Sequence, residues 1–306
     1  MKNLLVIGSI NMDLVVKSDQ LPKPGETLMG TSMETIPGGK GANQAVAAAR
    51  LGAGVTMIGA VGNDGYGPLL LEGLKKESIN VDYVAVEDNI SSGIAIIHVD
   101  KAGENSISVV PGSNACLSRD TVKARSEQVG GADVMLVQLE VPLETIEEAI
   151  SVAKSSNTPV VLDPAPVPTG LFPEFLYNVD VFTPNQSETL ALTGIRVVDK
   201  ASATLAGLVL LDRGAKYVVI KAGDLGAFIV TSGSDAFHIP VFPSSVVDTT
   251  AAGDAFSAAL ALGLAEGKPL VEATRWACAA GSIAVSRAGA QPAMPRREEV
   301  DAIVDL

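Results

Sequence analysis

Aromatic side chains are scarce, at 4% of the 306 residues, and no apolar run is long enough to span a bilayer although hydrophobic residues reach 47%. That combination excludes a membrane bundle and suits a soluble protein whose alanine-rich helices pack closely on a sheet. Cysteine is nearly missing. Cys116 and Cys278 form no disulfide framework and no metal-ligand spacing, which points to a reducing, cytoplasmic setting and to two small core residues. Histidine is limited to His98 and His238, each in a strand-like segment without a second metal ligand nearby, so neither is assigned to catalysis. Basic residues are outnumbered, 22 Lys and Arg against 35 Asp and Glu, and the net charge of −13 excludes a broad footprint for nucleic acid or an anionic membrane. An anionic ligand must therefore be held by local donors.

What is present is a rhythm. Short runs rich in Val and Ile, at Leu4 to Ile7, Val55 to Val61, Val134 to Leu139, Val160 to Leu162, Val179 to Phe182 and Tyr217 to Ile220, read as buried strands. Between them Ala42 to Leu51, Leu69 to Glu77, Ser118 to Val129, Leu143 to Lys154 and Lys200 to Arg213 carry helical spacing. Alternation of this kind predicts an α/β fold with a parallel sheet covered on both faces, and ligands beyond the carboxyl ends of its strands. Residues 1–8 are apolar but lack a small-residue cleavage site before Asn11 and Asp13, so they read as the first strand and not as a signal peptide. Leu14 to Ile36 and Ser91 to Val110 break the rhythm with strand-like segments and no helix. They are expected to pair into a small lid, residues 11–36 and 91–110, over a main unit of residues 1–10, 37–90 and 111–306. The apolar face of such a lid suits packing against a second copy, a homodimer.

Two stretches carry chemistry. In Val246-Val247-Asp248-Thr249-Thr250-Ala251-Ala252-Gly253-Asp254-Ala255-Phe256, an apolar pair that could end a strand runs through a small-residue turn into a helical run from Ala255 to Gly267. Free amides at a helix start, with the helix dipole, make an anion site. Asp254 would repel a resting anion there but could act as a base beside a phosphoryl group in transfer; the plainer alternative is an acid favoured in any first turn. In Pro37-Gly38-Gly39-Lys40-Gly41-Ala42-Asn43-Gln44 the spacing does not make a phosphate loop, which needs four residues between its first Gly and a Gly-Lys pair and then Ser or Thr, where this chain continues Gly41-Ala42. The alternative is a polyol site, with Gly38 and Gly39 giving amides and Lys40 and Asn43 side-chain hydrogen bonds. Asn11 and Asp13 either share one side of an extended segment or form an Asx turn.

Taken with Gly8-Ser9-Ile10-Asn11-Met12-Asp13, Gln138-Leu139-Glu140, Asp163-Pro164-Ala165-Pro166 and Thr183-Pro184-Asn185-Gln186-Ser187-Glu188, these pieces resemble the ribokinase-like (PfkB) family of carbohydrate kinases over essentially the whole chain. The resemblance implies a Rossmann-like three-layer α/β sandwich with a mostly parallel sheet and a β lid, and transfer of phosphate from ATP to the O5 hydroxyl of a sugar. Asp254 becomes the base and Ala251, Ala252 and Gly253 the anion hole. Asn11, Asp13, Gly39, Lys40, Asn43 and Glu140 match positions that contact ribose; related kinases for 2-deoxyribose tend to be apolar at the position of Asn11. Asn185, Glu188, Lys221, Gly223, Gly226, Gly253 and Cys278 fall where ATP binds, with Glu188 toward Mg²⁺ through water, although Asn185 and Glu188 also have the spacing of a helix cap. A K⁺ site would take the Asp248 carboxylate and the carbonyls of Thr250, Ala284, Arg287 and Gly289. Three positions depart from the family: Asp163 where many relatives have an amide, Lys221 where Thr is frequent, and Ala293 where a Ser hydroxyl often joins the cation site. Kinases for fructose or a nucleoside share the catalytic turn, and a non-catalytic sugar-binding protein could share the fold, but the latter would have no chemical need for Asp254.

Overall fold

Leu4 and Val6 enter one core cluster while Leu5 and Ile7 enter another, because successive residues of a strand face opposite ways. Their strand, β1 (Asn3–Ile7), therefore has no solvent face. In the computed structural model, which describes residues 1–305, it lies inside a nine-stranded sheet. From one edge the order is β13 (Phe237–Ile239), β12 (Ala227–Val230), β11 (Tyr217–Lys221), β10 (Val181–Phe182), β9 (Val160–Leu162), β8 (Val134–Val137), β1, β4 (Gly54–Gly62) and β5 (Asn80–Glu87). Pairing is parallel from β11 to β5 and antiparallel only at the β11–β12 and β12–β13 edge.

One face is covered by α1 (Lys40–Arg50), α2 (Gly67–Lys76), α8 (Ala252–Ala265), α9 (Leu270–Ala284) and α10 (Arg297–Val304). The other carries α3 (Arg119–Lys123), α4 (Ser126–Gly130), α5 (Leu143–Ser155), α6 (Gln186–Thr193) and α7 (Lys200–Asp212). Ala42, Ala45, Ala47 and Ala48 of α1 and Ala255, Ala258, Ala259 and Ala261 of α8 are fully buried, so small side chains bring these two helices close together at the exits of the strands. The larger buried side chains, such as Leu4, Leu70 and Leu136, each contribute about 1.5–3 kcal/mol of hydrophobic stabilisation.

A second sheet stands apart, in the order β3 (Ser32–Gly38), β2 (Asn11–Lys17), β6 (Gly93–Val99) and β7 (Asn105–Val110). Its strands leave β1 at Ile10 and return to α1 at Gly38, and Asn11 pairs with Gly38 at the junction. Met33, Ile96, Ile107, Val109 and Val110 are exposed on it.

Four expectations are corrected. The helix expected over Ser118 to Val129 is two helices, because Arg125 leaves helical geometry (φ −118°, ψ 20°) and lays its guanidinium over the Tyr83 ring. Helix α8 begins at Ala252, three residues before Ala255, so Asp254 lies inside its first turn. Val246 and Val247 end no strand; both are exposed, and the amide of Val247 donates to the carbonyl of Val285. Cys278 is buried as expected, but Cys116 is exposed.

Candidate active site

The turn into α8 is strained where it matters. Ala251 adopts φ 59°, ψ 9°, a left-handed conformation that costs a residue with a Cβ about 1–2 kcal/mol. No side chain caps the helix; the Ala252 amide makes a long 3.4 Å bond to the Thr249 carbonyl, and the amides of Gly253 and Asp254 are left for a ligand. Asp254 lies in that turn and is buried. Its Oδ2 accepts from Asn43 Nδ2 at 3.0 Å and its Oδ1 from Gln44 Nε2 at 3.1 Å. Burial pushes its carboxyl up to about 6, with Asp163 adding to the rise and Lys40, Asn43 and Gln44 opposing it. A carboxylate poised near neutral pH can take a proton from a hydroxyl.

On one side of Asp254 lie the polar residues of the β1 exit and of α1. Asn11 and Asp13, two residues apart on β2, are both buried. Asn11 Oδ1 accepts from Asn114 Nδ2 at 2.7 Å, and Asn114 also clasps the Ile10 backbone, accepting from its amide at 2.9 Å and donating to its carbonyl at 3.2 Å. Burial, then Glu140 and Asp254, push Asp13 up to about 7. Glu140 Oε2 accepts from Ser9 Oγ and from the Lys40 amide at 3.2 Å. Burial works against the charge of Lys40, but Asp254, Asp163, Glu140 and Glu188 outweigh it and hold the ammonium above the usual lysine range. Among the described residues Asn43 Oδ1 is buried without a partner, a free acceptor beside the Asp254 carboxylate for a hydroxyl donor. The glycines have packing reasons of their own. A Cβ on Gly38 would lie 2.2 Å from Asp13 Oδ2, one on Gly41 2.7 Å from the Ser9 amide nitrogen, and Gly39 has φ 87°.

On the other side a cavity of about 520 Å³ opens. It is lined by Lys40, Asp163, Asn185, Glu188, Lys221, Gly223, Gly226, the α8 turn and Cys278, whose thiol burial pushes up to about 12. The helix cap allowed by the spacing is present. Asn185 donates to both Glu188 oxygens at 2.7 Å, from its amide and its Nδ2, and accepts from the Glu188 amide at 2.8 Å. The cap also fixes Glu188 on the cavity wall. Burial raises the Glu188 carboxyl, with Lys221 opposing and Asp163 adding to the shift. Gly226, at φ 83°, leaves no room for a Cβ against the Ile239 carbonyl, 2.1 Å away.

Beside the turn, Asp248 stitches two loops together, accepting from the Thr250 amide at 2.8 Å and the Gly289 amide at 2.9 Å. Burial would raise its carboxyl, but the hydrogen bonds from Thr250 and Gly289 hold it below the usual range, so it carries charge. Arg287 turns its guanidinium to Glu299. Among the described residues no group of three His, Cys, Asp or Glu could hold a metal.

The profile described as pfkB family carbohydrate kinase matches residues 1–297. This chain belongs to that family. A ribokinase of Bacillus subtilis is 42% identical over 304 residues, 99% of this chain and 100% of its own length. A deoxyribokinase of Salmonella typhi is 34% identical, covering 99% of each chain. The solved structure of Arabidopsis thaliana ribokinase complexed with ribose and ATP superposes with a TM-score of 0.92, at 33% identity over 100% of both chains. The fold is thus the ribokinase-like three-layer sandwich with its smaller separate sheet.

Several polar residues took no role in the sequence reading. Gln44 and Gln138 stood inside quoted motifs, and their side chains form a buried chain to Asp254 through a 2.6 Å bond from Gln138 Nε2 to Gln44 Oε1. Ser9, beside Glu140, and Ser257, one turn along α8, belong with them. Asn114 carried no signal. It sits over a hundred residues from Asn11 in a short 3₁₀ turn (Gly112–Cys116), and only the tertiary fold brings the two amides together.

Proposed function

We propose that this chain is an ATP-dependent kinase that phosphorylates the O5 hydroxyl of D-ribose, giving ribose 5-phosphate and ADP. The observation that carries this reading is the buried Asp254 carboxylate at an uncapped helix start, on the wall of a cavity of about 520 Å³ and hydrogen-bonded to Asn43 and Gln44 of α1. Asp254 removes the O5 proton as O5 attacks the γ-phosphorus, and the bond from that phosphorus to the ADP oxygen breaks in line. Ala251, Ala252 and Gly253 present amides to the charge that develops on the phosphoryl oxygens. Asn11, Asp13, Gly39, Lys40, Asn43 and Glu140 hold the sugar, and the amide at Asn11 favours ribose over 2-deoxyribose because it has a hydroxyl to pair with.

Asn185, Glu188, Gly223, Gly226 and Cys278 flank the ATP. Glu188 retains lone pairs toward the cavity for the water shell of Mg²⁺, which supplies charge neutralisation on the phosphates when bound. Asp248 with the carbonyls of Thr250, Ala284, Arg287 and Gly289 would hold K⁺ behind the anion hole. The exposed apolar residues of the small sheet support its role as a lid and a homodimer interface. Charged substitution at Ile107 is then expected to give monomers in sedimentation.

The deciding experiment is ADP release over a panel of ribose, 2-deoxyribose, fructose and adenosine. Highest kcat/KM with ribose supports the proposal. Preference for another member moves the substrate, and turnover with none of them leaves a binding protein.

A further inference from the structure

Lys221 and Asp163 touch each other at the cavity wall. Lys221 Nζ lies 2.8 Å from Asp163 Oδ1, with 12% and 2% of their side chains exposed. Such a pair gives little stability by itself, since desolvation offsets the attraction and neutral groups of similar shape serve as well. Its placement is more informative. The ammonium lies 3.4 Å from where a Cβ on Gly253 would sit, against the first turn of α8, and lines the cavity. The Asp163 carboxylate is its single hydrogen-bond partner among the described residues, so two of its three donors remain free. Asp163 is itself fixed through its other oxygen, which accepts from Gln44 Nε2 and Ser257 Oγ, both at 3.2 Å. The Lys221 amide is pinned to the Pro184 carbonyl at 2.8 Å.

We propose that Lys221 is a further catalytic residue, whose ammonium binds the γ-phosphoryl oxygens of ATP across the anion hole, and that Asp163 is the residue that positions it. This rests on the kinase reading above. Between turnovers Asp163 neutralises the ammonium. With ATP bound, the free donors of the same ammonium meet the γ-phosphate, adding a charge-assisted contact to those of the α8 amides. Asp163 also shares Gln44 with Asp254, so the phosphate ligand and the base are held by one side chain.

The test compares Lys221→Met, Asp163→Asn and the neutral double variant Asp163→Asn/Lys221→Met with the parent. Lys221→Met is expected to lower kcat by about tenfold or more, the scale of losing one placed donor, with ribose KM within about twofold. It should weaken a non-hydrolysable ATP analogue by about tenfold while ADP changes by less than about threefold, because only the former carries a γ-phosphate. Asp163→Asn should also lower kcat, and the double variant should lose less than the product of the single losses. Equal weakening of the analogue and ADP, or fully multiplicative losses, overturns the proposal. A parent that turns over no ribose overturns the kinase reading instead; a working parent with an unaffected Lys221→Met overturns only this inference.

Discussion

Gln44 Nε2 lies 3.1 Å from Oδ1 of Asp254, and because its Oε1 is taken by Gln138 the amide can face the base in one orientation only. That donor favours the charged carboxylate against the burial that raises it. Gln44→Met should therefore move the acid limb of the kcat/KM profile above its position in the parent, with the loss greatest at low pH and recovered toward pH 9. In the parent the limb is expected between about pH 6 and 7, shared by Asp254 and Asp13 as one coupled cluster. A uniform loss across pH would mean that Gln44 acts only on structure.

Sugar choice is expected to rest on Asn11. Replacing it by Met takes one acceptor from Asn114 Nδ2, which keeps the Ile10 carbonyl, and removes the amide proposed to pair with a sugar hydroxyl. kcat/KM for ribose should fall by about 10²-fold or more and that for 2-deoxyribose by much less, since a site built for a hydroxyl rejects what cannot pair. Kinetics with both sugars measure this. Equal losses would remove Asn11 from sugar recognition.

In the monovalent-cation site proposed above, the Asp248 carboxylate is joined by backbone oxygens, and buried Ala293 offers a methyl where a serine would add one oxygen. Potassium should activate the parent, and Ala293→Ser should saturate at a lower concentration. Titration of the rate in both proteins decides it, and indifference to K⁺ in both refutes the site.

Stability should respond to pH through Asp254. Its folded carboxyl stands at about 6, above the ordinary value near 4, so its favourable contribution is present below about pH 4 and is lost as pH rises through 6. Near pH 8 the ionised group costs roughly 2–3 kcal/mol. Asp254→Asn should then melt higher than the parent at pH 8, and the gap should close by about pH 4. Asn43 can turn its unpaired Oδ1 to the new amide, which preserves the packing. A lower melting temperature for the variant at pH 8 would contradict the shift.

Alternation of apolar runs made β1, β4, β8, β9 and β11 legible because each is buried on both faces. Strand β5 was missed since Asn80, Asp82 and Glu87 interrupt its apolar pattern at the sheet edge. The turn into α8 was readable as a helix start because its residues are contiguous. The Asn114 to Asn11 and Lys221 to Asp163 contacts were not, because their separations in sequence, 103 and 58, carry no periodic trace. The departures at Asp163 and Lys221 were visible singly; only the fold shows them to be one charge pair.

The account turns on Asp254 as the base, and single-turnover transfer from ATP to ribose by Asp254→Asn tests it most directly. The rate is predicted to fall by about 10² or more with ribose and ATP binding nearly unchanged, the worth of a placed general base. Transfer within about threefold of the parent would contradict it and leave Asp254 a structural acid.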